Sequence, residues 1–164
     1  MDKIYKKPIF NEMTEYLAVG IHLMSINDLL THKILGGTPE RVKLINSLKL
    51  ACETYWSYGI TEIYANGSFA TSKPNPADID GYIQISYSDA NLLKLIQSGS
   101  VWGNFKGKSN PKDKFPMWYE HKIEFYLHDP DYTNESFNPP KFFTHSKEGI
   151  ARGIIKIIQP KGAI

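Results

Sequence analysis

Apolar side chains at Val42, Ile45, Leu48, Cys52 and Tyr55 recur at helical spacing, which predicts a helix over residues 38–58 with one buried face. Thr38 suits the N-cap, Pro39 suits the first helical position, and Gly59 supplies the stop. Arg41 sits where a capping-box glutamate would stand. The period then shortens. Residues 60–65 are rich in β-branched and aromatic side chains and predict a strand. Residues 66–77, broken by Gly67, Pro74 and Pro76, predict a loop. A second strand is expected over 78–86, a helix over 89–96 capped by Asp89 or Ser88, and a third strand over 121–128. A last strand is expected over 153–158, after a turn at Lys147-Glu148-Gly149. Upstream, residues 17–23 predict a short strand. A short helix starts near Asn27, with Asn27 as its cap, and is broken by Gly36-Gly37. Residues 98–118, rich in glycine, proline and lysine, read as a long surface loop, and residues 130–140 as another. The sum is one α/β (α+β) domain over residues 1–164, a mixed β-sheet with flanking helices.

Composition narrows the picture only slightly. A chain of 164 residues can bury about two-thirds of its unfolded surface, so it needs no disulfide or structural metal to hold its core. The net charge of +2 shows no dense basic block of the kind that marks a dedicated nucleic-acid binder. Lys106, Lys108, Lys112 and Lys114 can still form a local basic loop. The single cysteine, Cys52, predicts a buried structural thiol and a reducing compartment. The opening MDKIYKKPIF has no apolar core after its charges, and no apolar run has membrane-spanning length. A cytoplasmic location is the expectation.

Candidate chemistry concentrates in the second strand. Alternation puts Asp78, Asp80, Tyr82 and Gln84 on one face and Ile79, Ile83 and Ile85 on the other. Two carboxylates so close repel unless a cation or a shared proton neutralises them. Mg2+ (or Mn2+) is the natural cation, because it takes oxygen ligands and bridges to phosphate. Gly67-Ser68 follows a predicted strand, where a glycine lets backbone N–H groups approach an anion and the serine adds a hydroxyl. The third strand offers Glu124 on its polar face with Lys122, Tyr126 and His128. Glu124 becomes a third metal ligand if the two strands are neighbours with their polar faces aligned. Lys73 is a candidate contact for a triphosphate.

Gly67-Ser68, followed after nine residues by Asp78-x-Asp80 and an apolar strand, resembles the signature of the DNA polymerase β-type nucleotidyltransferase superfamily. The stretch from Asn66 to Lys73-Pro74, with Pro76-Ala77-Asp78-Ile79-Asp80, is similar to an uncharacterised bacterial and phage family carrying a GSF-T-K-P-P-DID run. Val19-Gly20-Ile21-His22 and residues 149–155 are similar too, with Arg152 standing where that family tends to have lysine. The resemblance implies a nucleotidyltransferase-like fold and metal-ligand roles for Asp78 and Asp80. It delivers no substrate; a nucleoside triphosphate is the expected donor of the leading functional reading. The expected reaction moves a nucleoside monophosphate to an acceptor, with Glu124 also helping to deprotonate the acceptor hydroxyl. The acceptor, whether an RNA end, a protein or a small molecule, is left open. Small nucleotidyltransferases of toxin–antitoxin and phage-defence systems resemble this plan.

Plainer readings stand beside these. Asp78 and Asp80 also fit a turn cap, Glu124 a solvated strand position, and Lys73 a solvated loop. Trp102, Phe105, Trp118 and Tyr119 suit base stacking or simple packing. His121 and His128 fit poorly with a hard-oxygen metal site, and His22 reads as structural. Two other function classes remain: a non-catalytic nucleotide or ligand binder that keeps the fold, and an RNA-binding module using the lysine-rich loop.

Overall fold

The computed structural model describes residues 3–106, 112–132 and 137–161. Strand β1 (Ile4–Tyr5) leads to β2 (Ile21–Met24) and to helix α1 (Ile26–Thr31). Helix α2 (Pro39–Ser57) is the longest element, followed by β3 (Ile63–Asn66), a 3-10 turn at Gly67–Ala70, and β4 (Ile79–Gln84). Helix α3 (Ala90–Gln97), a 3-10 turn at Val101–Gly103, α4 (Pro116–His121), β5 (Ile123–His128), α5 (Pro139–Phe143) and β6 (Ile154–Ile157) complete the chain. The strands form one mixed six-stranded sheet in the order β1-β2-β6-β3-β4-β5. Pairs β1–β2, β2–β6 and β4–β5 are parallel; β3 runs antiparallel to both β6 and β4.

The two faces of the sheet differ in what they bury. Ile63, Ala65, Ile79, Ile83, Ile123, Phe125, Ile155 and Ile157 join Leu44, Ile45, Leu48, Cys52 and Tyr55 of α2 in the main core. Such burial, at about 25 cal/mol per Å² of apolar surface, is the main drive for this layering. Gly81 is required by close packing: a Cβ there would lie 2.0 Å from the Tyr64 carbonyl and 2.9 Å from the Phe125 ring. The opposite face carries a smaller cluster of Tyr64, Tyr82, Phe143 and Ile154, where α5 lies over the sheet.

Several expectations hold closely. Thr38 caps α2, its hydroxyl accepting from Arg41 N–H, with Pro39 next. Gly59 takes φ of 74° just past the helix end, and Asp89 caps α3. The differences have local causes. Ser25, not Asn27, caps α1, because Ser25 and Asp28 form a reciprocal capping box. Strand β3 ends at Asn66, which the loop expectation had claimed. The stretch 98–118 is not simply a surface loop. Pro116 begins α4, and Trp102, Phe115 and Met117 are buried in the main core. Lys108 of the expected basic loop lies outside the described residues. The third strand starts at Ile123 rather than His121, because α4 runs to His121 and Lys122 turns with φ of 58°. Residues 139–143, assigned partly to a loop, form α5, started by Asn138 accepting from Lys141 N–H. Among the described residues no helix is long and apolar enough to cross a membrane.

Candidate functional site

Strand register creates two adjacent polar rows on the face opposite the main core. Tyr64, Tyr82 and Tyr126 are paired in one row. Asn66, Asp80 and Glu124 are paired in the next. Directly paired residues point to the same side of a sheet, with Cβ atoms about 4.5–5.5 Å apart. Tyr64 and Tyr82 stack at 4.7 Å, which fixes the side on which both rows lie. Strands β4 and β5 are thus neighbours with Asp80 beside Glu124. Asp78 stands just before β4, and its Oδ2 accepts from the Trp118 indole N–H at 2.9 Å.

The three acids have different surroundings. Asp78 and Asp80 are half-buried, whereas Glu124 is fully buried. Glu124 Oε2 accepts from Phe115 N–H at 2.7 Å, and Oε1 accepts from the Tyr126 hydroxyl at 2.6 Å. Lys114 Nζ lies 3.8 Å from the same carboxylate. Burial, then the hydrogen bond and charge of Glu124, then Asp80 and Asp78, push the Tyr126 hydroxyl well above its ordinary range. Tyr126 therefore stays protonated and donates.

The turn after β3 brings its backbone against Asp80. Gly67 has φ of 72°, and a Cβ there would lie 3.1 Å from Asp80 Oδ2. Only glycine combines this conformation with so near a carboxylate at little cost. The turn is held from below by Arg41, which is wholly buried in α2. Its guanidinium donates to the carbonyls of Phe69 at 2.9 Å, Thr71 at 2.8 Å, Leu35 at 3.4 Å and Lys73 at 2.5 and 3.2 Å. Burial lowers its pKa to about 10, which leaves it charged at neutral pH. Within the turn, the Thr71 hydroxyl donates to the Ser68 carbonyl and accepts from Lys73 N–H.

A cleft of about 690 Å³ opens over this corner. One wall is Gly67, Ser68, Thr71, Lys73 and Asp80. The facing wall comes from α5 and the segment after it, with Lys141, His145, Lys147 and Arg152. Arg152 Nε donates to the Phe143 carbonyl at 3.1 Å, and its guanidinium lies 5.6 Å from the Tyr16 ring centre. Burial lowers the Arg152 pKa, while Tyr16, Asp80 and Glu15 oppose that shift. The cleft thus sets Asp80 and a glycine turn against Lys141, Lys147 and Arg152, with Glu15 and Glu148 also in its lining, so both signs of charge meet there.

Sequence reasoning named Gly67, Ser68, Lys73, Asp78, Asp80 and Glu124. The structure brings Gly67, Ser68, Lys73 and Asp80 into one cleft; Asp78 and Glu124 do not line it, Glu124 being paired with Asp80 in the sheet and Asp78 bonded to Trp118. Arg41, Lys141, Lys147 and Asn66 were missed as site residues. Among the described residues, no three His, Cys, Asp or Glu side chains are grouped to hold one metal ion. A cation at Asp78 and Asp80 would complete its shell from amide, hydroxyl, phosphate or water oxygens, all compatible with Mg2+ or Mn2+. Trp102 and Phe105 pack internally rather than lining this cleft: Trp102 stacks on His121 at 4.5 Å, and Phe105 meets Phe115 edge-on. His22 is buried, its Nε2 donating to the Ala18 carbonyl at 2.8 Å and its Nδ1 accepting from Ile9 N–H at 3.3 Å. With a carbonyl at Nε2, that nitrogen carries the proton. Burial pushes the Cys52 thiol up, so it is an inert core group.

A family model matches residues 8–158; it describes a family of unknown function, DUF6932. No curated protein and no solved structure matches the chain.

Proposed function

The chain belongs to that family, DUF6932. From the residues of the cleft and the motif they form, we propose that it is a metal-dependent nucleotidyltransferase with a nucleotidyltransferase-like fold. The observation that carries the reading is the close approach of the Gly67 turn to Asp80 in a cleft that also holds Lys73, Lys141, Lys147 and Arg152. Asp78 and Asp80 would hold Mg2+ or Mn2+, which when bound supplies charge neutralisation for a transferring phosphoryl group. The backbone at Gly67 and Ser68, with the Ser68 hydroxyl, would receive phosphate oxygens. Lys73, Lys141, Lys147 and Arg152 would hold the remaining phosphates of a nucleoside triphosphate. Binding between these walls would orient the α-phosphate for in-line attack by an acceptor hydroxyl, with pyrophosphate leaving. Glu124 is next to Asp80, and joins a cation only by loosening its contacts to Tyr126 or Lys114. An RNA end or a partner protein as acceptor, in a toxin–antitoxin or phage-defence setting and in the cytoplasm, fits the same plan.

The test is incubation with Mg2+ or Mn2+, labelled nucleoside triphosphates and cell extract. Label should move to one acceptor class with wild type and not with Asp80→Ala. Absence of transfer, or equal transfer by both proteins, sinks the catalytic reading. A second reading, nucleotide binding without turnover, is favoured by one observation: both Glu124 oxygens are already engaged, so the acid row offers fewer free oxygens than a three-carboxylate site needs. Calorimetry separates the two. Tight nucleotide binding with no dependence on divalent cation favours the binder.

A further inference from the structure

Among the described residues, Asn66 is the member of the Asn66–Asp80–Glu124 row whose side chain has no hydrogen-bond partner. It is 1% exposed, and neither Oδ1 nor Nδ2 is bonded among the described residues. A buried amide with no partner is costly, so such groups call for an explanation, often a ligand or an ordered water. Packing supplies none, because an apolar side chain of similar shape would fill the same place without the penalty. Nor does local capping. Asn66 precedes the 3-10 turn at Gly67–Ala70 in the N-cap position, yet makes no side-chain cap bond.

Its direction is set by the sheet. Asn66 is paired with Asp80 across the antiparallel β3–β4 ladder, so both side chains leave the same face. Gly67, the next residue, lines the cleft with Asp80. On the other side of Asp80, Glu124 is bonded to Phe115 N–H and Tyr126 OH. Exchanging the amide oxygen and nitrogen changes nothing here, since both atoms lack partners.

We propose that Asn66 is a binding residue of the divalent-cation site at Asp78 and Asp80, its amide oxygen facing the cation directly or through one coordinated water. This rests on the reading of Asp78 and Asp80 as cation ligands, and it assigns to Asn66 the place that spacing alone gave to Glu124. An amide oxygen is a hard neutral donor, which Mg2+ and Mn2+ accept. It also adds no third negative charge to a row in which Asp80 and Glu124 already stand side by side.

The experiment is Mn2+ titration of the full chain, followed by electron paramagnetic resonance, alone and with a non-hydrolysable ATP analogue. Wild type, Asp80→Asn, Asn66→Leu and Asn66→Asp are compared, with thermal melts of each. Asn66→Leu should melt at or above the wild-type temperature without metal, yet bind Mn2+ about 10–100-fold more weakly, the usual loss on removing a metal-site partner. Asn66→Asp should melt lower without metal, regain stability on adding Mn2+, and bind it at least as tightly as wild type. Unchanged Mn2+ affinity in Asn66→Leu, with affinity lost in Asp80→Asn, overturns the role of Asn66 and leaves the acid pair standing. Wild type that binds no Mn2+, or binding indifferent to Asp80→Asn, overturns both. If Asn66→Leu is too unstable to titrate, Asn66→Asp decides: lower melting with no Mn2+ rescue counts against the proposal.

Discussion

Replacing Arg41 by Met should loosen the Gly67–Lys73 turn before it unfolds the protein. The guanidinium serves carbonyls of Leu35, Phe69, Thr71 and Lys73. Leu35, Phe69 and Thr71 are buried, whereas Lys73 is exposed and its carbonyl can turn to water. Orphaning three buried carbonyls at about 1–3 kcal/mol each gives about 3–9 kcal/mol. Part of that is returned, because the variant no longer desolvates a cation in the fold. A net loss of about 2–4 kcal/mol is expected, which for a domain of this size lowers the melting temperature by roughly 5–15 °C. Arg41→Lys should behave nearly as badly, since one ammonium cannot fork to carbonyls on two sides. The assay is a thermal melt joined to amide hydrogen exchange. Amides of residues 67–73 should exchange faster in the variant well below its melting point, while those of β4 and β5 stay protected. A variant that melts within about 2 °C of wild type, with unchanged protection over 67–73, refutes the clamp, given a typical cost of several degrees for lost buried contacts.

Gly67→Ala should cost about 1–2 kcal/mol from its left-handed backbone. It should weaken Mn2+–nucleotide binding much more, since the new methyl group presses on Asp80 Oδ2; equal losses to Gly67→Ala and Gly59→Ala in binding assays would count against that contact. Acid should destabilise the fold through His22 and His32, whose pKa values burial lowers from 6.5. The unfolded chain takes up protons below its ordinary histidine pKa while the folded chain resists, so this stability is full above that value and is lost as pH falls below it. Melts from about pH 7.5 to about pH 5.5 should show the slope, reduced in His22→Phe; an unaltered slope rules out His22 as a contributor. The double variant Lys141→Gln, Lys147→Gln should lose nucleotide affinity and flatten its salt dependence while melting as wild type, because both side chains are exposed in the cleft. Retained affinity would place the phosphates elsewhere.

Much of this architecture was readable where local rules and tertiary packing agree. Thr38, Pro39 and Gly59 bound α2 as their chemistry dictates, and strict alternation in β4 and β5 put Asp80 and Glu124 on the polar face. Their adjacency could not be read, because alternation fixes a face and not a neighbour. The loop assignment of 98–118 failed for a different reason. Glycine, proline and lysine suggested solvent, yet Pro116 is a good first helical residue, and Trp102, Phe115 and Met117 supply apolar surface that only the core can use. Arg41 was invisible as a site residue. A charged side chain on a helix reads as exposed, and only the descent of the 66–77 segment onto α2 gives its guanidinium carbonyls to serve. The cationic wall at Lys141 and Lys147 was missed because it sits on α5 and the following turn, far from the motif in sequence.

The two polar rows on the outer face show what stability alone would not select. In the first row, Tyr64, Tyr82 and Tyr126 bury large rings, and Phe143 of α5 stacks against Tyr82. That row behaves as a satellite core. One step along the same strands, the pattern reverses to Asn66, Asp80 and Glu124, with an unbonded amide at one end and a buried carboxylate at the other. Continuing the apolar row would have covered more surface with fewer buried polar groups. The cost is partly offset at Glu124, where Phe115 N–H, Tyr126 and Lys114 gather around the charge. At Asn66 no group among the described residues offsets it. The change from one row to the next occurs where the Gly67 turn meets Asp80 and the cleft begins, so the least stable row of the sheet is also the one best placed to meet a ligand.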